Sequence, residues 1–330
     1  MGGVEPPRTD LPGSLPALVK PSAGPLEVGD TRLDWFRHPR VARIAETILE
    51  KIQSKEFHFR KMKPVIFLCG AKDSSARDEL RDYIQANWGH DFLVFYAEDV
   101  WNVIAGRTDL NALKMEQALA DLADVVAVIV ESPGTFAEVG AFSLSDDLRP
   151  KLLLVIDKQF QHSESFINTG PVRWTDQDSL FSPAIYTDLK VVLESIGELS
   201  ERLGRLPAPA RSTIDDLTES PKHLLFFLCD LVAVFGPVTL DHVERLFTEL
   251  LGRGPHGLPP AYLLALGTSL GLLETKIVDG TVYYLRVPED AETFNFFHRK
   301  KFLDLALERA RFLSALITLP SGRRVLEGIS

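Results

Sequence analysis

Residues 131–140 read Glu-Ser-Pro-Gly-Thr-Phe-Ala-Glu-Val-Gly and follow an unbroken apolar run, Val125–Val130. This is the pattern of a buried strand, a glycine turn and a helix with a carboxylate, Glu138, in its first turn. Open α/β sheets place ligands at the carboxyl ends of their strands. A helix N-terminus adjacent to such an end offers free N–H groups to an anion or a sugar hydroxyl. Gly134 lets the backbone approach a ligand closely, and Thr135 has the side chain to cap the helix. Ser132, Gly134 and Thr135 are therefore expected to bind substrate, with Glu138 projecting over the strand ends.

A carboxylate in that position can attack or stabilise an oxocarbenium-like sugar carbon, and a second one can act as acid, base or hydroxyl anchor. Further acids fall at strand ends: Glu98 and Asp99 after the second strand, Glu131 after the third and Asp157 at the end of the fourth. Glu131 and Asp99 join Glu138 as the expected catalytic set, contacting hydroxyls or water. Taken singly, each of these acids except Glu138 reads more readily as solvated or helix-capping. Cys69-Gly70 ends the first strand, where a turn can approach phosphate. Asn168 lies in a loop, Phe166-Ile167-Asn168-Thr169-Gly170-Pro171, that could form a lid or recognise a base. Leaving-group chemistry then narrows the substrate. The nicotinamide of oxidised NAD departs as a neutral ring and needs no proton, whereas a purine leaves more easily when a general acid protonates it. No histidine is placed for that task, which favours NAD+ or a related pyridinium nucleotide. NAD+ enters as substrate; no cofactor is expected.

These residues need a scaffold. The chain has 330 residues, 45% hydrophobic and 25% charged, the composition of a globular protein long enough for two domains. Its net charge of −10 argues against a broad electrostatic footprint on nucleic acid. Cys69 and Cys229 sit far apart in apolar runs and read as buried free thiols in a reducing cytoplasm. No metal-ligand spacing, signal peptide or membrane-spanning run is visible.

Residues 1–33 are dense in Pro and Gly and read as an irregular arm. Residues 34–205 alternate strand and helix patterns, starting with an edge helix from Pro39. Strands are expected at 65–70, 92–96, 125–130, 151–157 and 184–186, and helices at 74–87, 111–122, after Gly134 and at 189–203. This order implies α/β, a doubly wound parallel sheet. Leu206-Pro207-Ala208-Pro209-Ala210 marks a linker, residues 206–212. In residues 213–295, helices at 223–234, 240–251 and 260–270 precede two strand-like runs around Asp279-Gly280, a hairpin signal. Three helices and a hairpin in that order predict a winged helix. A final helix is expected over 296–316, closing the 296–330 segment. The presumed recognition helix, residues 259–268, has no Lys or Arg, unlike a helix built for the major groove. The basic run His298-Arg299-Lys300-Lys301 is better suited to phosphates, though a solvated helix face explains it as well.

The turn Gly134-Thr135-x-x-Glu138-x-Gly140 resembles the active-site turn of nucleoside deoxyribosyltransferases, whose glutamate is the nucleophile at the anomeric carbon; that role falls on Glu138. Those transferases carry an aspartate two residues before the glycine, where this chain has Ser132, with Glu131 one place earlier. A similar turn occurs in nucleotide phosphoribohydrolases. Together, Phe67-Leu68-Cys69-Gly70, the 131–143 segment, Ser165–Pro171 and the following winged-helix pattern resemble the effector subunits of retron anti-phage systems. The resemblance implies a deoxyribosyltransferase-like domain fused to a winged helix. It implies an N-glycosidase toxin that depletes nucleotides including NAD+ and is held in check by a reverse transcriptase bound to its DNA–RNA hybrid, the msDNA. It also makes the acidic winged helix a docking surface for that complex. Self-association into a homo-oligomer is left open. The alternative is a non-enzymatic nucleotide-sensing winged-helix regulator.

Overall fold

The computed structural model describes residues 33–53, 56–104, 112–251, 258–287, 294–297 and 304–329. The Pro/Gly-rich arm, except Leu33, and the basic run 298–301 lie outside the described residues. Helix α1 (Pro39–Ile52) is followed by β1 (Phe57–Phe59), β2 (Val65–Cys69), α2 (Ser75–Trp88), β3 (Leu93–Phe95), α3 (Ala97–Ile104), α4 (Ala112–Leu122), β4 (Val125–Val130), α5 (Pro133–Ser143), β5 (Leu152–Asp157), α6 (Arg173–Asp178), β6 (Ile185–Thr187) and α7 (Ile196–Leu203). Then come β7 (Ser212–Ile214), α8 (Pro221–Phe235), α9 (Leu240–Leu251), α10 (Pro260–Ser269), β8 (Leu273–Val278), β9 (Thr281–Arg286), β10 (Phe296–Phe297), α11 (Leu305–Leu316) and α12 (Pro320–Ile329). None of the described helices is long and apolar enough to cross a membrane.

Strands β3-β2-β4-β5-β6 form one parallel sheet in that order. The central strands VIFLC, VVAVIV and LLLVID are apolar almost throughout because both faces are covered. Alternate residues divide between two cores. Phe67, Val126, Val128 and Leu154 face the side that includes Leu119 of α4, Val139 of α5 and the residues of α8. Ile66, Val125, Ala127 and Leu153 face Leu80 and Ile84 of α2 and Leu199 of α7. The sheet is thus wound on both sides. The chain leaves β2 for one neighbour, β3, and later returns to the other, β4. That reversal opens a crevice beyond the carboxyl ends of β2 and β4.

Several expectations need correction. Residues 97–104 form helix α3, which sequence reading missed. The 166–171 loop is a turn of π-helix over Asn168–Val172 running into α6. The helix expected over 189–203 is a 3₁₀ segment, Leu189–Ser195, followed by α7; Val191, at φ −137° and ψ 47°, breaks it. The final helix does not begin at Phe296. Phe296 and Phe297 pair with β1, which also pairs with β7, so a three-stranded antiparallel sheet joins three distant parts of the chain. Helix α11 begins after Asp304, whose side chain accepts from the Leu307 N–H.

The C-terminal half packs onto the sheet through shared hydrophobic core, with one buried cluster running from α1 and the sheet into α8, α9, α10 and α11. Hairpin β8–β9 turns at Asp279 and Gly280, both at positive φ (50° and 75°), the conformation that an Asp-Gly hairpin supplies. Buried Asp230 of α8 fastens the returning chain: its carboxylate accepts from the Phe296 N–H (2.7 Å) and Asn295 Nδ2 (3.2 Å) and faces Arg286 at 3.5 Å. Removing one side of such a buried network leaves the other groups without compensation. Asp230→Ala is expected to lower the unfolding free energy by about 3 kcal/mol or more, read as an earlier urea transition. An unchanged midpoint would remove Asp230 from the fold's supports.

Candidate active site

A cavity of about 240 Å³ opens at the strand-order reversal. Phe67, Leu68, Cys69 and Gly70 form its floor at the end of β2. Ala97, Glu98 and Trp101 come from α3, Met115 and Glu116 from α4, Arg77 from α2 and Glu138 from α5. Helix α4 returns to the start of β4, so its early residues lie at the carboxyl edge of the sheet, where α3 and α5 begin. Four elements thereby bring three carboxylates and one guanidinium to a single opening.

The turn after β4 fixes Glu138. Sequence reading takes Thr135 as the cap; the structure gives that place to Ser132. The Ser132 hydroxyl accepts from the Thr135 N–H (3.2 Å), and the Thr135 hydroxyl takes the N–H groups of Ser132 (2.9 Å) and Glu131 (3.0 Å) while donating to the Ser132 carbonyl (2.9 Å). This reciprocal capping box starts α5 at Pro133. Glu138 therefore sits in the second turn, three residues beyond Thr135, and reaches the cavity from there. Its Oε2 is buried with no hydrogen-bond partner among the described residues.

Arg77 organises the opposite wall. It is 6% exposed, with its Nη1 donating to Glu98 Oε1 (2.8 Å) and, at 3.4 Å, to the Gly70 carbonyl. Its guanidinium lies over the Tyr96 ring, 4.2 Å from the centroid. Gly70 is sterically required: a Cβ there would stand 2.8 Å from Arg77 Cδ and 3.2 Å from its Cβ. Burial, followed by the charges of Glu116 and Glu98, pushes the Glu138 carboxyl up to about 7, against a smaller opposing pull from Arg77. Burial and then Glu98 also raise Glu116. Cys69 is raised well above its ordinary value, first by burial and then by Glu138, which keeps the thiol protonated and makes it a poor nucleophile.

The other sequence-derived residues fall in several places. Cys69, Gly70 and Glu138 line the cavity. Ser132, Gly134 and Thr135 build the turn that carries Glu138, and the Thr135 hydroxyl is consumed within it. Glu131 accepts from the Ala71 N–H (3.0 Å), tying the loop after β2 to the end of β4. Asp99 points the other way along α3, accepting from Ser269 Oγ of α10 (3.0 Å) and the Tyr96 N–H (3.3 Å). Its neighbour Glu98 takes the cavity position. Asp157 binds the backbone and side chain of Gln159. Asn168 donates to the carbonyls of Phe160 (2.7 Å) and Ser163 (2.9 Å), within its own loop and outside the cavity lining. Arg77, Trp101 and Glu116 were missed as site residues, although Arg77 follows Gly70 closely enough to be sought there.

Residues 73–263 match the family described as STM3845 retron effector protein, a stretch that contains all of the cavity's acids and Arg77. This chain belongs to that retron effector family. It is 27% identical over 284 residues to the Escherichia coli "Retron Ec73 putative ribosyltransferase/DNA-binding protein", covering 76% of this chain and 88% of that relative. It is 41% identical over 116 residues to the Escherichia coli "Retron Ec86 putative ribosyltransferase/DNA-binding protein", covering 34% of this chain and 37% of the relative.

The raised Glu138 carboxyl makes the stability of this effector depend on pH. The folded state holds that proton more tightly than the unfolded chain, so the penalty for ionising Glu138 grows as pH rises from its ordinary value of 4.5 to about 7 and is full above that. Glu138→Gln removes it. The variant should melt above the parent at pH 8, with the gap closing toward pH 4.5; a gap of constant size would show that Glu138 is not held protonated.

Proposed function

We propose that this retron effector is an N-glycosidase that cleaves the bond between nicotinamide and ribose in NAD+, and that its toxicity serves anti-phage defence. The observation that carries the reading is the unpartnered, buried Glu138 Oε2 in a cavity at the sheet's switch point. A carboxylate kept free of structural bonds is available for a reacting carbon. The similarity to relatives named as ribosyltransferases supports chemistry at a ribose.

In this mechanism ionised Glu138 attacks ribose C1′. The glycosidic bond breaks with its electron pair passing to the pyridinium nitrogen, so nicotinamide leaves neutral and without a proton. Water then displaces the Glu138 carboxylate from C1′, one of its protons staying on the new hydroxyl and the other passing to a base or solvent, giving hydrolysis through a glycosyl-enzyme. Desolvation makes the carboxylate more reactive once ionised, while Arg77, held by Glu98, limits the repulsion among the acids. Ser132, Thr135 and Glu131 set the position of the nucleophile; Asp99 fixes α3 to α10.

We further read α8, α9, α10 and hairpin β8–β9 as the winged helix, residues 213–295 following the 34–205 catalytic unit. Val238, between α8 and α9, bridges to Tyr284 of β9 as the short first strand of that fold would. Its role is docking to the reverse transcriptase–msDNA complex. The regulator alternative needs α10 to enter a groove, yet Tyr262, Leu263, Leu264, Ala265 and Leu266 of α10 are buried, and the helix packs on α3 and α8.

The test is cellular NAD+ and growth after induction, with and without the retron reverse transcriptase and its msDNA, for the parent and Glu138→Gln at equal soluble level. The parent should deplete NAD+ and arrest growth under the activating condition, and Glu138→Gln should do neither. A folded Glu138→Gln variant that remains fully toxic would refute the mechanism.

A further inference from the structure

The acids of the cavity are not equivalent. Glu98 is neutralised by Arg77 at 2.8 Å, and Arg77 is the sole cation among the described lining residues. Glu116 and Glu138 share the remaining space with no hydrogen bond or ion pair to a described residue beyond it, and the indole of Trp101 lines the same opening. When both acids are ionised, an uncompensated negative charge is left in a partly desolvated space. A neutral base would do nothing to relieve it. A flat cation would, because its charge offsets the carboxylates and its ring can also stack on an indole.

We propose that Glu116 is the specificity-determining residue of this cavity, selecting a positively charged ring over a neutral base of the same shape. The inference rests on the glycosidase reading and deepens it. A bound pyridinium favours the ionised forms of Glu116 and Glu138, so substrate binding shifts the nucleophile toward its ionised form. Bond cleavage converts the pyridinium to neutral nicotinamide, which removes the attraction, and nicotinamide departs while Glu138 stays in the glycosyl ester until water releases it. A substrate with a neutral leaving base gains neither the binding nor the activation.

The experiment uses the full chain at pH 7.5 and two probes of one shape, 1-methylnicotinamide (a permanent cation) and nicotinamide (neutral), titrated by ligand-observed NMR against the parent, Glu116→Gln and Glu116→Asp. The parent should bind the cation at least about tenfold more tightly, the scale expected for a charge pair a few ångströms apart near a protein surface. Glu116→Gln should lose most of that preference with its nicotinamide affinity unchanged, and Glu116→Asp, which keeps the charge, should retain it. Equal binding of both probes by the parent, or a full preference in a folded Glu116→Gln, overturns the proposal. Nicotinamide release from NAD+ in cells with the retron partners separates the two levels. If the parent releases none, the glycosidase reading fails. If the parent releases it and Glu116→Gln leaves the KM for NAD+ unchanged, only the role of Glu116 fails.

Discussion

The guanidinium of Arg77 reaches three parts of the fold at once: the carbonyl of Gly70 at the end of β2, the carboxylate of Glu98 on α3 and the ring of Tyr96 between them. Three acids converge on one cavity, and in a partly desolvated space like charges raise one another's proton affinity and push the walls apart. Arg77 compensates one of them and leaves the other two for chemistry. Gly70 is the reciprocal of this arrangement, because a side chain there would occupy the volume through which Arg77 passes. The cavity is therefore braced on the β2–α2–α3 side, and its uncompensated carboxylates stand on the α4–α5 side.

The same helix that carries Glu98 and Trp101 into the cavity turns Asp99 toward Ser269 of α10. Successive helical residues differ in direction by about 100°, so the pair Glu98-Asp99 joins the site to the C-terminal helices. Helix α10 is buried by its packing against α3, α8, α9 and β8. The apolar composition of residues 259–268 thus follows from packing, and the surface left for a partner lies on the other elements of that half.

Much of the scaffold was legible in the sequence. Unbroken apolar runs identify strands buried on both faces, and the Asp279-Gly280 pair identifies the hairpin. The turn at 131–140 pointed to Glu138, which does face the cavity. Other features were not accessible. Strands of two or three residues, such as Phe57–Phe59 and Phe296–Phe297, are too short to show a period, and their pairing is long-range. Two adjacent acids after β3 could not be told apart without the phase of α3, so sequence reading favoured Asp99 where Glu98 lines the cavity. Glu116 escaped because attention to strand ends looks at the residues that follow a strand, whereas α4 precedes β4 and returns to the same edge.

The central claim is that Glu138 forms the bond to the sugar. It is tested most directly with an NAD+ analogue carrying fluorine at the 2′ position of the nicotinamide ribose, which destabilises the oxocarbenium-like transition states of both steps while the good leaving group keeps the first faster than the hydrolytic second. The chain is incubated with the analogue in the presence of the retron partners, then denatured, digested and weighed by mass spectrometry. The account predicts one glycosyl adduct per chain, on the peptide bearing Glu138 and absent from Glu138→Gln. Nicotinamide release accompanied by an adduct on Glu98, Glu116 or another residue would contradict it.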